Sequence, residues 1–144
     1  INLIQNIKHD AYDFIPFKEA WSIREHIVHI VDCEINGFIR YRKAIAESGV
    51  EVASYNIDNW KKYLSYSQQD VYITLELFKL LRNIMINHLS IIKNEDWKNY
   101  QIKHPVFNNI GLKMILSIYT QHVDKHIEYI KRNIKEYNNK KKGV

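Results

Sequence analysis

Ser22-Ile-Arg-Glu-His-Ile-Val-His-Ile-Val-Asp-Cys-Glu-Ile-Asn-Gly-Phe-Ile-Arg-Tyr-Arg-Lys-Ala-Ile-Ala-Glu47 is the stretch on which the fold turns. Ser22 followed three residues later by Glu25 is a capping box, in which each side chain satisfies a backbone N–H left bare at a helix start. Ile23, Ile27, Ile30, Val31, Phe38 and Ile45 then recur at helical spacing. The pattern predicts a helix over about residues 22–47, stopped near Gly49.

Downstream, residues 50–67 form a connection with a short helix around 58–64. Ser67 with Asp70 repeats the capping signal, and Leu77, Phe78, Leu81, Ile84, Met85, Leu89 and Ile92 make an apolar stripe that predicts a helix to about Lys93. Residues 96–109, with Pro105, read as a loop, and a last long helix is predicted over about 111–137. Upstream, residues 10–20 hold Pro16 and irregular aromatics and read as a loop over the core. Ile4 and Ile7 give residues 1–8 the spacing of the last turns of a first helix whose beginning is absent. Three long helices and a truncated first one predict an all-α four-helix bundle, with long connections that permit a crossover.

The chain has 144 residues, 46% of them hydrophobic, with only 4 Gly and 2 Pro, a composition that favours long helices over a turn-rich β-sandwich. Its net charge of +5 resides in residues 131–144, where six Lys/Arg stand against one Glu; residues 1–130 are neutral. That distribution argues against a nucleic-acid stripe, and residues 138–144 read as a basic, disordered tail. Cys33 is the single cysteine, so no intrachain disulfide forms and a reducing compartment is expected. With no membrane-length apolar run and no signal-peptide pattern, the cytoplasm is the expected location.

Chemistry concentrates in the histidines. His122 and His126 stand four apart, so on a helix both imidazoles project from one face, within the arc of Ile115, Ile118, Tyr119, Tyr129 and Ile130. Two such rings either bind a shared metal or are separately hydrogen-bonded core histidines. His29 lies opposite the main apolar arc of its helix, on a line with Glu25, Cys33, Asn36 and Arg40, and that line is either a solvated face or one turned into a polar pocket. Other metal patterns fail: no glutamate follows His122 as a zincin requires, and no Glu-x-x-His pairs of a di-iron bundle occur. Cys33, four residues past His29, is within reach of a shared metal but reads first as a small buried hydrophobe. His26 and His88 read as surface or packing residues.

Taken together, Trp21-Ser-Ile-Arg-Glu-x-x-x-His29-Ile-x-Asp32, Asn36, Ile39-Arg40-Tyr41 and His122-x-x-x-His126-x-x-x-Ile130 resemble the DinB-like superfamily, in particular its YfiT-like branch of metal-dependent hydrolases. The residues from Tyr55 to Trp60 resemble that branch's connector, and His104-Pro105 the loop before its last helix. The resemblance implies a bundle domain over residues 1–137, a long crossover, a divalent metal (zinc or nickel foremost) on His29, His122 and His126, and homodimerisation. It also implies a hydrolase or a thiol transferase of the kind that joins a low-molecular-weight thiol such as bacillithiol to an electrophile, with a small-molecule substrate and no specific nucleic acid or membrane partner. The metal would acidify a water or thiol in an open position. Glu25 and Asp32 are then candidate partners of the ligating imidazoles. Arg40, about 16 Å from His29 along the axis at roughly 1.5 Å per residue, is a candidate for the anionic end of a substrate; Glu25 and Arg40 are thus the candidate catalytic residues. The competing expectation is a non-catalytic, metal-stabilised helical dimer or a stress-response binding module, which a fourth protein ligand such as Cys33 would favour.

Overall fold

Ser22 closes the start of the first long helix, α1 (Ile23–Ala46), in the computed structural model, which describes residues 2–4 and 7–142. Its hydroxyl accepts from the Glu25 N–H at 3.2 Å and the Glu25 carboxylate accepts from the Ser22 N–H at 2.9 Å, so the predicted capping box is formed on both sides. Asn56 caps the short α2 (Ile57–Tyr63) through the Asn59 N–H. Asp70 alone caps α3 (Val71–Ser90), accepting from the Tyr72 and Ile73 N–H groups; Ser67 lies in a preceding 3-10 turn and takes no part.

Residues 94–111 are more ordered than the predicted loop. A 3-10 helix (Asn94–Asn99) leads into a hairpin of β1 (Gln101–His104) and β2 (Asn108–Gly111), antiparallel with Ile102 opposite Ile110. Both isoleucines are buried against Tyr41, Val52 and Leu112, so the hairpin lids one end of the core. Asn108 takes a left-handed backbone at φ 57°, a conformation that asparagine tolerates better than most residues. Four-residue strands carry too little alternation to be read in advance.

Two apolar clusters organise the bundle. One joins Ile23, Ile27 and Ile30 of α1 to Val71, Tyr12, Ile4 and Ile130; the other joins Tyr41 and Ala44 to Met85, Leu112 and Ile115. Val71 at the start of α3 therefore sits by the start of α1, and Met85 near its end, so the long connection carries α3 back to run parallel to α1. The last helix, α4 (Leu112–Lys142), runs antiparallel, with Leu112 beside the end of α1 and Ile130 beside its start. This is the predicted crossover. α1 is central, packed on both α3 and α4. Gly37 permits the closest approach: a Cβ there would lie 2.8 Å from the Tyr119 ring, so this mid-helix glycine is kept for packing at a cost in propensity.

The ends differ from expectation. Asn2–Ile4 is a single 3-10 turn rather than the end of a long helix; Ile1, Gln5 and Asn6 lie outside the described residues. Residues 138–142, expected as frayed tail, are helix. The Asp10 carboxylate accepts from the Tyr137 hydroxyl and from Lys141 Nζ, each at 2.6 Å, tying the last turns of α4 to the N-terminal segment. Gly143 and Val144 lie outside the described residues. No described helix is long and apolar enough to cross a membrane.

Candidate metal centre

Between the two apolar clusters, the polar line of α1 turns inward. Glu25, His29, Cys33 and Arg40 are all buried, with His29 only 2% exposed, so the pocket reading of this face is the one the tertiary structure realises. Antiparallel packing brings His29 opposite His122 and His26 opposite His126.

His29 Nε2 and His122 Nε2 are 3.1 Å apart, and Cys33 Sγ is 3.6 and 3.8 Å from them. Among the described residues, these three form the group of His, Cys, Asp or Glu donors close enough to share one ion. A tetrahedral zinc sphere, with bonds of about 2.0–2.1 Å to nitrogen and about 2.3 Å to sulfur, has N···N edges of about 3.3 Å and N···S edges of about 3.6 Å. The observed separations match that frame. The donor set of imidazoles and a thiol suits zinc, nickel, cobalt or copper and is wrong for magnesium or calcium.

His126 adjoins this group without entering its tightest set. Its ring centroid is 4.7 Å from that of His29 and 4.5 Å from that of His122, while its Nδ1 faces His26 Nδ1 at 2.9 Å. Between two neutral imidazoles one nitrogen donates and the other accepts, so this pairing orients the His126 ring and leaves Nε2 as its free nitrogen. Trp21 walls the cluster, edge-on to His29 at 5.1 Å between ring centroids and tilted over His26 at 5.6 Å. Within this cluster, His122 Nδ1 and His26 Nε2 are buried without a partner among the described residues.

Burial keeps these rings neutral. Desolvation holds His26 and His29 down to about 4 and His126 to about 3, with neighbouring positive charge adding to the effect, and His122 is lowered for the same reason. Their lone pairs are thus available at neutral pH. Without a cation, the Cys33 thiol is pushed up to about 11 by burial, against the opposing hydrogen bond from Tyr55. The pKa pattern has a consequence for the metal-free protein. The unfolded chain takes up histidine protons near 6.5, the folded one only near 4 and below, so acid draws protons preferentially to the unfolded state. Stability should be complete above pH 6.5 and fall as the pH drops from there towards about 4. Chemical denaturation of chelator-treated protein across that range checks the slope, and a flat profile would refute it.

Several candidate side chains are engaged away from the imidazoles' free nitrogens. Glu25 spends its carboxylate on the capping box and on Lys61 at 3.1 Å, and Asp32 accepts from the Tyr66 hydroxyl; among the described residues neither carboxylate hydrogen-bonds an imidazole. Arg40 donates to the Tyr119 hydroxyl at 2.7 Å and the Ala53 carbonyl at 2.8 Å and abuts His104 at 3.1 Å, so its guanidinium is occupied as an internal tie. His26 and Tyr55, in contrast, belong to the site. His26, read from the sequence as a surface or packing residue, is buried against His126; its three-residue spacing to His29, which puts both rings toward one side of α1, is the signal that could have found it. Tyr55 had no such signal, because its hydroxyl reaches Cys33 Sγ at 2.6 Å from a connection between helices.

The family model for the DinB superfamily matches residues 1–130. This chain belongs to the DinB superfamily. Relatives within reach of this DinB chain include an Oceanobacillus iheyensis protein named "Putative metal-dependent hydrolase", 24% identical over 129 residues that cover 90% of this chain and 74% of the relative. A Bacillus cereus protein of the same name is 25% identical over 111 residues, 77% of this chain and 63% of its own length. The fold is that of YfiT from Bacillus subtilis, described as a "probable metal-dependent hydrolase with an unusual four-helix bundle topology": the TM-score is 0.85 at 20% identity, covering 95% of this DinB chain and 78% of YfiT.

Proposed function

We propose that this DinB-superfamily chain is a metal-dependent enzyme whose divalent ion, zinc or nickel, is held by His29, His122 and His126 and activates water for hydrolysis or a low-molecular-weight thiol for transfer. The observation that carries this reading is the convergence of neutral, buried imidazoles from antiparallel helices, with His29 and His122 nitrogens at 3.1 Å and the His126 ring beside both. The relatives' names agree with it in class.

Bound there, a divalent ion supplies Lewis acidity, acidifying a water or thiol so that a nucleophile forms near neutral pH. The chain's own residues do the positioning. His26 fixes the orientation of the His126 ring through the Nδ1 pair, and the Trp21 face excludes water from the His26 and His29 side. Lys61 Nζ sits 4.9 Å over the Trp21 ring and salt-bridges Glu25, fastening that wall to the start of α1. Arg40 is tied inside the fold by the Tyr119 hydroxyl and the Ala53 carbonyl, which fixes its guanidinium beside His104. Cys33 in the donor group favours a second reading, a closed coordination sphere with a structural rather than catalytic metal.

Elemental analysis of freshly purified full-length chain tests the first step and should give close to one metal per chain, lost on chelation and restored by zinc or nickel. Hydrolysis of activated esters and amides, and conjugation of small thiols to electrophiles, should then follow metal content. A chain that takes up neither ion refutes the reading; a stoichiometric metal with no rate above buffer in either assay supports the structural alternative.

A further inference from the structure

Cys33 is one turn beyond His29 on α1, and its sulfur is the third corner of the donor group. We infer that Cys33 Sγ is itself a metal ligand, so that the ion sits in a mixed nitrogen–sulfur sphere rather than among histidines alone. This rests on the metal reading above and favours its second, closed-sphere form.

Three observations point the same way. First, Sγ is nearly equidistant from His29 Nε2 and His122 Nε2, at 3.6 and 3.8 Å, close to the N···S edge of about 3.6 Å of a tetrahedral zinc sphere. Helix spacing brings Cys33 beside His29, with Sγ also 3.9 Å from His29 Nδ1, and the antiparallel packing of α4 adds the His122 nitrogen. Second, those two nitrogens stand 3.1 Å apart, so the three donor atoms form one compact triangle. Third, the Tyr55 hydroxyl lies 2.6 Å from the sulfur. A phenol donating to a thiolate is a charge-assisted bond, the outer support usual for a ligating group, whereas a neutral thiol offers it only a weak partner.

Ligation replaces the S–H bond by a metal–sulfur bond, and the proton leaves to solvent. Its consequences are chemical. The thiolate brings one negative charge to the ion, selects softer metals over magnesium and manganese, and takes a position that an all-histidine site would leave to water or an incoming thiol.

The test is cobalt(II) loading of the full chain, alone and in competition with zinc. Wild-type protein should bind one cobalt per chain and show near-ultraviolet sulfur-to-cobalt charge-transfer absorption. Cys33→Ser should lose that absorption completely and bind cobalt roughly 10-fold to 100-fold more weakly, at least the scale set by loss of an outer support. Because the serine variant is informative only if folded, a second measurement uses wild-type protein. Alkylation of Cys33 by a maleimide should be suppressed by bound cobalt and restored by chelator. Stoichiometric cobalt without charge-transfer absorption, or an alkylation rate unmoved by the metal, overturns the ligand role of Cys33 while leaving the histidine site standing. A chain that binds neither cobalt nor zinc overturns both.

Discussion

His29→Ala should reduce bound zinc or nickel to background while the bundle stays helical. The ring is almost wholly buried, and its Nε2 lies 3.1 Å from the His122 nitrogen and 3.6 Å from the Cys33 sulfur. Helix content should persist because the apolar clusters around Ile23 and Tyr41 lie to either side of the site and do not depend on it. His126→Ala should likewise abolish stoichiometric metal. His26→Ala should instead weaken binding by about 10-fold to 100-fold, because it supports a neighbouring ring and offers the shared point no nitrogen of its own. Metal analysis paired with circular dichroism on the three variants checks this order. Full metal content in His29→Ala would remove the centre as drawn; equal loss in His26→Ala would make His26 a ligand.

The second large effect concerns stability. Glu34 is 2% exposed on α1, and its carboxylate accepts from Arg82 Nη2 of α3 at 2.7 Å. Burial raises its pKa and the guanidinium opposes that rise, so the pair is held together by mutual neutralisation. Arg82→Met strands a buried carboxylate and should cost about 3–5 kcal/mol at neutral pH. The double variant Arg82→Met with Glu34→Gln should recover much of the loss, because a neutral amide is cheaper to bury than an unpaired charge. Denaturant melts of the two single variants and the double variant form the cycle. If Arg82→Met is no less stable than wild type, the pair carries no weight in packing α3 on α1.

The two effects separate what local chemistry could reveal from what it could not. Glu34 and Arg82 lie 48 residues apart on different helices, and nothing local in either marks the other. The capping box at Ser22 and the apolar spacing of α1 were legible because they are properties of one helix, set by backbone donors a few residues away. The α4 pair His122 and His126 was legible for the same reason, as four residues return to the same face. The hairpin at residues 101–111 was not, since its strands are short and their isoleucines gain burial only against Tyr41 and Leu112.

By itself, then, the sequence determined the long helices, the capping box of α1, the histidine pair and the likeness to the DinB superfamily, all of which depend on near neighbours in the chain or on motif order. Tertiary structure alone decided that the polar line of α1 faces inward, that Arg40 and Glu25 are internal ties, that the α4 terminus is pinned by Asp10, and that Cys33 and His26 join the imidazoles. The physical reason lies in α1 itself. A helix packed on both α3 and α4 has no solvent side over most of its length, so its polar line must be buried, and each buried polar group must find its partner on another element.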